Sequence, residues 1–224
     1  MQIGSIDTDN LPDRWLSVMP YSFFALISRI RNISRWSLMR NSAVENVQEH
    51  SHMVAVIAHA LAVIRRDVFN GKSDPGLAAA AALFHDASEI FTGDLPTPVK
   101  YFDPDIMSAY KRVESVASAK LLMALPSQMR PEYERLLTSD QSEDCQNTST
   151  SEGSIHSLVK AADKLAAYIK CLEELKTGNM EFRLAEQQLI KKLEKLEMPE
   201  VGYFMEHFIP AFKLTLDEID FSIE

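Results

Sequence analysis

The apolar residues of this chain recur at helical spacing over most of its 224 residues, and this periodicity constrains the fold more than any other feature. Alternation of β-branched and polar residues, which is typical of strands, is scarce, and only seven glycines interrupt the pattern. A chain of this length can bury one sizeable core. The sequence therefore predicts a single all-α domain, and it contains no internal repeat.

Start and stop signals divide the pattern into separate helices. At Asp74 and at Asp103, an aspartate followed by proline predicts an N-cap and the first helical position. Helices are predicted over residues 21–32, 43–69, 75–90, 104–124, 127–137, 155–176, 180–196 and 199–219. Residues 1–20 are predicted to be a loosely ordered extension of a domain that covers residues 21–224. Within that domain, the polar residues 139–154 are predicted to be a surface loop.

Charge and cysteine content restrict the classes of partner. A formal net charge of −9 argues against a nucleic acid polymer or an anionic membrane, although a few arginines could still bind a small phosphorylated substrate. The two cysteines are too few for a disulfide scaffold or a thiolate metal site, and they favour a cytoplasmic location. No stretch approaches the roughly 18 apolar residues of a membrane span, and the N-terminal MQIGSIDTDNLPDRW has no apolar core of signal-peptide length.

Three histidines on the predicted helix 43–69 differ in helical phase. His50 shares its face with the apolar residues Met53, Val54, Ile57, Leu61 and Ile64, so we expect it to point into the core. Taken alone, such a residue is more often a core histidine that makes one hydrogen bond than a metal ligand. His52 and His59 lie on a more polar side, and we expect both at the surface.

The stretch ALFHDASEIFTGDLPTP, residues 82–98, places ionisable side chains among apolar ones. His85 and Asp86 are adjacent, and Glu89 follows one helical turn later, so the three project over one region. Burying such groups without partners costs several kcal/mol each, on the order of polar transfer free energies. A polar helix end is the simpler interpretation, but apolar residues surround the segment. A divalent metal ion would supply the missing partner.

Two further sites are ambiguous from their local sequence. Asp163 lies among alanines in SLVKAADKLAAYIK, where small neighbours leave room for its carboxylate to reach inwards. An exposed aspartate paired with Lys160 or Lys164 is an equally good interpretation. Arg35 and Trp36 interrupt the helical pattern in ISRWSLMRNS, and local sequence favours a surface arginine beside a buried tryptophan.

The ordered set of His50, His85, Asp86 and Asp163 resembles the H…HD…D pattern of the HD-domain metal-dependent phosphohydrolases. A closer resemblance is to the bacterial 5'-deoxynucleotidases of the YfbR type, over about residues 21–219. It rests on the successive segments ISRWSLMRN, ENVQEHS, HDASEIFTGDLPTPVKYF, LVKAADKLAAYIKCLEEL and YFMEHFIPAF. The N-terminal extension has no counterpart in that family, and the polar loop is longer than the family's usual connection.

This resemblance implies an HD-domain helical bundle with a metal site between its core helices. It implies hydrolysis of deoxyribonucleoside 5'-monophosphates to deoxynucleoside and inorganic phosphate, and it implies a homodimer. The four residues of the pattern would bind one divalent metal ion. A donor set without sulfur suits Co, Mn, Zn or Fe, and the resemblance favours cobalt.

The resemblance also assigns roles to residues outside the metal site. Glu89 and Asp94 would act in acid–base catalysis, in an order that the sequence leaves open. Arg35 would clamp the phosphate and take part in catalysis, and Trp36 would form a wall that favours 2'-deoxyribose over ribose. The implied substrate contacts are Arg35, Trp36, His50, Asp86, Asp94, Leu95, Pro96, Thr97 and Asp163.

Two alternatives remain at this point. The first is an HD hydrolase that acts on a nucleoside triphosphate, ppGpp or a cyclic dinucleotide, but such enzymes usually carry more basic residues or ligands for a second metal. The second is a non-catalytic HD module that binds nucleotides, against which the presence of both Glu89 and Asp94 argues.

Overall fold

The computed structural model of the chain describes residues 20–96, 99, 102–137 and 151–219, with the side chains of residues 151–154 excepted. Predictions for residues 1–19 and 138–150 lie outside this part. The described residues form nine α-helices and no named strand, so the all-α prediction is confirmed. None of these helices is both long and apolar enough to cross a membrane. The helices are α1 (Phe23–Ile27), α2 (Val47–Val63), α3 (Pro75–Leu83), α4 (Glu89–Thr92), α5 (Pro104–Met123), α6 (Arg130–Leu137), α7 (Ser151–Lys176), α8 (Arg183–Glu194) and α9 (Pro199–His207).

Helices α2, α3 and α7 form the centre of the molecule. Their buried residues make up most of the larger apolar cluster, to which α8 and α9 add Leu193, Val201 and Phe204. Buried alanines on α3 and α7 have small side chains that let the helix backbones approach closely: Ala78, Ala81, Ala82, Ala161, Ala162, Ala166 and Ala167. A second cluster, around Phe23 and Leu121, joins α1 to α5 and α6. The candidate site described below lies on α2, on α7 and on the turn that follows α3.

The predicted helix 75–90 is divided into α3, a turn over residues 84–88, and α4. The turn is wound by i to i+3 hydrogen bonds, such as Ala87 N–H to the Phe84 carbonyl at 3.0 Å. The His85 ring adds a reason for the break, since its Nδ1 donates to the Ala82 carbonyl at 2.8 Å. Residues 84–88 contain no glycine or proline, and the apolar periodicity continues through them. The sequence therefore predicted one uninterrupted helix over residues 75–90.

Other boundaries differ from prediction by a few residues. Helix α2 begins at Val47 rather than residue 43, because Asn46 accepts a hydrogen bond from Glu49 N–H at 3.0 Å and forms a capping box with it. Helix α7 begins at Ser151, so the last four residues of the predicted loop 139–154 are helical, and the rest of that loop lies outside the described residues. Short 3-10 turns replace predicted α-helix at Ile30–Asn32, Met180–Phe182, Ile209–Lys213 and Leu216–Glu218, and a π-type turn ends α2 at Ile64–Val68.

Candidate active site

His50 is the buried centre of the site. It lies on α2 with no exposed surface, as its helical phase predicted, whereas His52 and His59 are exposed. Its Nε2 atom lies 3.0 Å from Oδ1 of Asp163, which α7 carries. Two residues that are 113 positions apart in the sequence are therefore brought together by the packing of α2 against α7.

The turn after α3 brings His85 and Asp86 to the same place. The Nδ1 atom of His85 donates to the Ala82 carbonyl, which leaves Nε2 facing the site. Asp86 Oδ2 lies 3.0 Å from that Nε2 atom and 3.8 Å from His50 Nε2. The four residues of the H…HD…D pattern thus converge from α2, the 84–88 turn and α7.

The donor atoms suit a divalent cation. His50, His85 and Asp163 each offer a ligand atom, and the three atoms lie within 4.8 Å of one another, with the Asp86 carboxylate beside them. His85 Nε2 is buried, and the Asp86 carboxylate at 3.0 Å is its neighbour within the described residues. Its other ring nitrogen is fixed by a backbone carbonyl, as is usual for metal-binding histidines. Two imidazoles and two carboxylates form a set that borderline divalent metals accept.

The pKa values in the metal-free site point the same way. Burial alone would lower the pKa of His85, but the charge and hydrogen bond of Asp86, together with Asp163, raise it to about 9. Burial would raise the pKa of Asp86, but His85 and His50 bring it down to about 2. Burial would raise the pKa of Asp163, but the hydrogen bond and charge of His50, together with the charges of His85 and Arg35, lower it. The site therefore stabilises a positive charge between its carboxylates.

The carboxylates lie on the open side of the site. The exposed fraction of the side chain is 0% for His50 and 10% for His85, but 20% for Asp86 and 40% for Asp163. Arg35 lies at this open side, with its Nη1 atom 3.4 Å from Oδ2 of Asp86. A cationic guanidinium thus borders the cluster of candidate ligands, where it could bind an anion such as phosphate.

The segment that carries Arg35 and Trp36 is fixed to the start of α2. Ser34 and Asn46 form an antiparallel bridge, and Arg35 N–H donates to the Glu45 carbonyl at 2.9 Å. The Glu45 side chain had no predicted role, yet its Oε2 atom lies 3.3 Å from Arg35 Nε and 3.1 Å from Trp36 Nε1. Glu45 falls inside the predicted helix 43–69, whereas the structure places it just before Asn46, the N-cap of α2.

Glu89 lies at the start of α4, and Asp94 lies just beyond its end. Glu89 is its first residue, is almost fully buried, and donates its N–H to the Asp86 carbonyl at 3.0 Å. Asp94 follows Gly93, whose φ of 70° turns the chain away from the helix. Burial and the charge of Asp86 raise the pKa of Asp94, against the opposing effects of Arg35, His50 and a hydrogen bond from the Trp36 N–H. Asp94 therefore lies beside the Arg35–Trp36 segment.

The remaining predicted substrate contacts follow Asp94 directly. Leu95 and Pro96 are half-buried and continue the chain past the site. Thr97 lies outside the described residues.

Comparison with known proteins agrees with this geometry. The sequence profile of the family described as 5'-deoxynucleotidase YfbR-like matches residues 22–212. A 5'-deoxynucleotidase of Photorhabdus temperata is 48% identical over 201 residues, covering 90% of this chain and 98% of the relative. One from Pectobacterium atrosepticum is 49% identical over 197 residues, covering 88% of this chain and 94% of the relative.

Solved structures share the fold. An HD-domain phosphohydrolase from Listeria innocua superposes with a TM-score of 0.68 at 27% identity, covering 85% of this chain and 88% of its own. A cyanophage S-2L HD phosphohydrolase, bound to dA and one catalytic Zn2+ ion, gives a TM-score of 0.57 at 17% identity, covering 84% of this chain and 96% of its own. At that lower identity the likeness concerns the fold alone.

Proposed function

The chain belongs to the family of YfbR-like 5'-deoxynucleotidases, and we propose that it hydrolyses deoxyribonucleoside 5'-monophosphates to deoxynucleoside and phosphate. The observation that carries this proposal is the convergence of His50, His85, Asp86 and Asp163 beside the guanidinium of Arg35. The relatives that cover almost the whole chain favour this activity over hydrolysis of other nucleotides and over a non-catalytic module.

The four converging residues would hold one divalent metal ion. Such an ion supplies Lewis acidity for the phosphoryl oxygens and a nucleophilic water at neutral pH. We propose cobalt on the basis of the family resemblance, since the donor set itself accepts Co, Mn, Zn or Fe. The two imidazoles form the buried side of the site, so the substrate would enter past the carboxylates of Asp86 and Asp163.

Arg35 would bind the phosphate oxygens that face the open side. A guanidinium presents two N–H donors in a plane that matches a phosphate edge. Its Nε and Nη1 atoms are oriented by Glu45 and Asp86, so the side chain is positioned before the substrate arrives. His50, Asp86 and Asp163 would also contact the substrate, at its phosphate end.

Asp94 and Glu89 would divide the proton transfers. The oxygen of water forms a bond to phosphorus, the bond from phosphorus to the 5'-oxygen breaks, and the leaving oxygen needs a proton. Asp94 suits the role of proton donor because its pKa is raised and it lies beside Arg35. Glu89, buried next to Asp86, would orient the water and accept its proton.

The sugar and base would lie against Trp36 and the segment from Leu95 to Thr97. The indole is a flat, partly buried surface at the end of the site where Arg35 would bind phosphate. We propose that it contacts the sugar on the 2' side, so that a ribose hydroxyl clashes with it.

A substrate and metal screen tests the proposed function. The protein is stripped with EDTA, reloaded with Co, Mn, Zn or Fe, and assayed for phosphate release from deoxy- and ribonucleoside mono-, di- and triphosphates. We expect release from deoxyribonucleoside monophosphates alone, fastest with cobalt. Preferential release from triphosphates would move the protein to another class of HD hydrolase, and nucleotide binding without release from any substrate would make it a binding module.

We further propose that the protein is a cytoplasmic homodimer. The dimer rests on the family resemblance and the location on the scarcity of cysteine in the sequence. Sedimentation velocity at micromolar concentration tests the dimer, since the chain has a mass of 25.3 kDa and a dimer twice that value.

A further inference from the structure

We propose that Glu45 is a positioning residue that fixes Arg35 and Trp36 and thereby sets the preference for 2'-deoxyribose. This inference rests on the proposed function, because it concerns the substrate selectivity of the same site. Within the described part of the chain, the Glu45 side chain forms hydrogen bonds to Arg35 and Trp36. It forms none to the candidate metal ligands or to the segment from Asp94 to Pro96. Its role is exerted through the two side chains that it binds.

A single carboxylate oxygen joins the two substrate-side residues. Oε2 of Glu45 accepts from Arg35 Nε at 3.3 Å and from Trp36 Nε1 at 3.1 Å. The opposite edge of the same guanidinium, through Nη1, faces Asp86 at 3.4 Å. Glu45 and Asp86 therefore fix the plane of the Arg35 guanidinium from opposite edges. Because Glu45 also binds the Trp36 indole, the orientations of the guanidinium and the indole are coupled.

The backbone of Trp36 adopts a conformation that is uncommon for a residue with a side chain. Its φ is 55°, in the left-handed region. Its carbonyl accepts from Met39 N–H at 2.9 Å and from Asn41 Nδ2 at 3.2 Å, which holds the turn. The indole packs against Phe182 at a centroid distance of 5.3 Å, with the two ring planes tilted by 57°. The hydrogen bond from Nε1 to Glu45 is the directional contact of the ring.

A wall discriminates against an added hydroxyl only if it does not move. A well-packed apolar surface separates substrates that differ by one hydroxyl by about a hundredfold, and small displacements of a positioning group remove much of such an effect. Loss of the Glu45 hydrogen bond should therefore admit the ribose 2'-hydroxyl. It should also weaken binding of the phosphate by releasing one side of Arg35.

Three variants separate the effect of the hydrogen-bond acceptor at residue 45 from the effect of its negative charge. Glu45→Ala removes the acceptor, Glu45→Gln keeps a carbonyl oxygen there without the charge, and Glu49→Gln is the matched control. Glu49 lies four residues along and caps α2, a role that glutamine can also fill. We expect Glu45→Ala to lower kcat/KM for a deoxyribonucleoside monophosphate by about ten- to a hundredfold. Its deoxy-to-ribo ratio of kcat/KM should fall about tenfold or more, Glu45→Gln should restore part of that ratio, and Glu49→Gln should match the wild type.

A spectroscopic readout is independent of activity. The chain has two tryptophans, so Trp15→Phe leaves Trp36 as the only one. In this background, time-resolved fluorescence anisotropy should show fast local motion of the indole after Glu45→Ala but not after Glu49→Gln. An unchanged anisotropy decay, or an unchanged deoxy-to-ribo ratio, in Glu45→Ala overturns the proposal. If the wild type releases phosphate from no deoxyribonucleotide, the proposed function fails, and the anisotropy alone decides whether Glu45 positions Trp36.

Discussion

Asp86 is the residue on which the separate parts of the site meet. Its Oδ2 atom lies within 3.8 Å of nitrogens from His50, His85 and Arg35. Asp86→Ala should therefore remove both bound metal and activity, while the helices stay folded. Metal content of the purified protein, measured by mass spectrometry, checks this. Asp67→Ala is the matched control because the Asp67 side chain is 54% exposed and forms an ion pair with Arg66, away from the site. Full metal occupancy with normal turnover in Asp86→Ala would remove Asp86 from the ligand set.

The acid and the base can be separated with two substrates. Asp94→Asn should slow hydrolysis of a deoxyribonucleoside monophosphate by about 10²–10⁴-fold, because the 5'-oxygen then leaves without a proton. The same variant should hydrolyse p-nitrophenyl phosphate at nearly the wild-type rate, since nitrophenolate leaves unprotonated. Glu89→Gln should slow both substrates, with metal still bound. Equal losses on both substrates in Asp94→Asn would assign the acid role elsewhere.

Single residues differ in how well sequence predicts them. Helical phase placed His50 in the core and His52 at the surface, because α2 is regular there and burial follows from periodicity. Glu45 was missed because its position depends on a bridge between residues 34 and 46 and on a left-handed Trp36. Neither the bridge nor the left-handed residue produces a periodic pattern in the sequence. The local sequence therefore did not indicate that Glu45 binds Arg35 and Trp36.

At the scale of elements, the Arg35–Trp36 segment is anchored to α7 by a buried ion pair. Glu174 accepts from Lys170, from Ser42 N–H at 2.7 Å and from Ala43 N–H at 3.2 Å. The Lys170 ammonium also donates to the Ala43 carbonyl at 2.6 Å. Burial would raise the pKa of Glu174, but these donors lower it to about 2. The helix that carries Asp163 therefore also holds the chain that leads from Arg35 into α2.

Glu174→Gln should destabilise the protein because it leaves the Lys170 ammonium buried without its counter-charge. Breaking a buried ion pair in this way costs about 3–5 kcal/mol, which for a chain of this size lowers Tm on the order of 10 °C. Differential scanning calorimetry measures the change. Glu173→Gln, at the adjacent exposed position of the same helix, should shift Tm by only about 2 °C or less. Equal shifts in the two variants would show that the pair does not anchor the segment.

Elements themselves were predicted best where their ends have a chemical signal. Proline after aspartate located the starts of α3 and α5 to the residue. The end of α3 had no such signal, because the stop depends on the His85 ring bonding to the carbonyl of Ala82. That break turns His85 and Asp86 towards α2. The end of α3 therefore determines the geometry of the site, and apolar periodicity could not predict it.

For the whole molecule, the site joins segments that lie far apart in the sequence. Its proposed ligands come from α2, the 84–88 turn and α7, which span the sequence from His50 to Asp163. A metal that binds only this assembled form stabilises the fold by mass action, by about 4 kcal/mol at a thousandfold excess over Kd. The metal-loaded protein should therefore unfold at a Tm on the order of 10 °C above the EDTA-treated protein. No difference in calorimetry would mean that the ion does not bridge these elements.

The same linkage predicts a pH dependence that reverses when metal is bound. In the metal-free protein the pKa of His85 is raised from 6.5 to about 9, so the folded state binds this proton more tightly than the unfolded chain does. The stability that this proton contributes is complete below pH 6.5 and is lost as the pH rises towards 9. Asp86, with its pKa lowered from 3.8 to about 2, loses its contribution only in strong acid and does not affect this range.

Calorimetry in EDTA should accordingly show Tm falling between pH 6.5 and 9. The fall should be absent in His85→Gln and should remain in His59→Gln, since His59 is exposed on the far side of α2 from the core.

With saturating metal the His85 imidazole has already lost its proton, because a metal ligand must be deprotonated. Metal affinity should then rise with pH over the same range, and titration of metal into weakly buffered protein at pH 7.5 should release about one proton per site. A flat Tm profile in EDTA together with no proton release would show that no proton occupies the position where the metal binds.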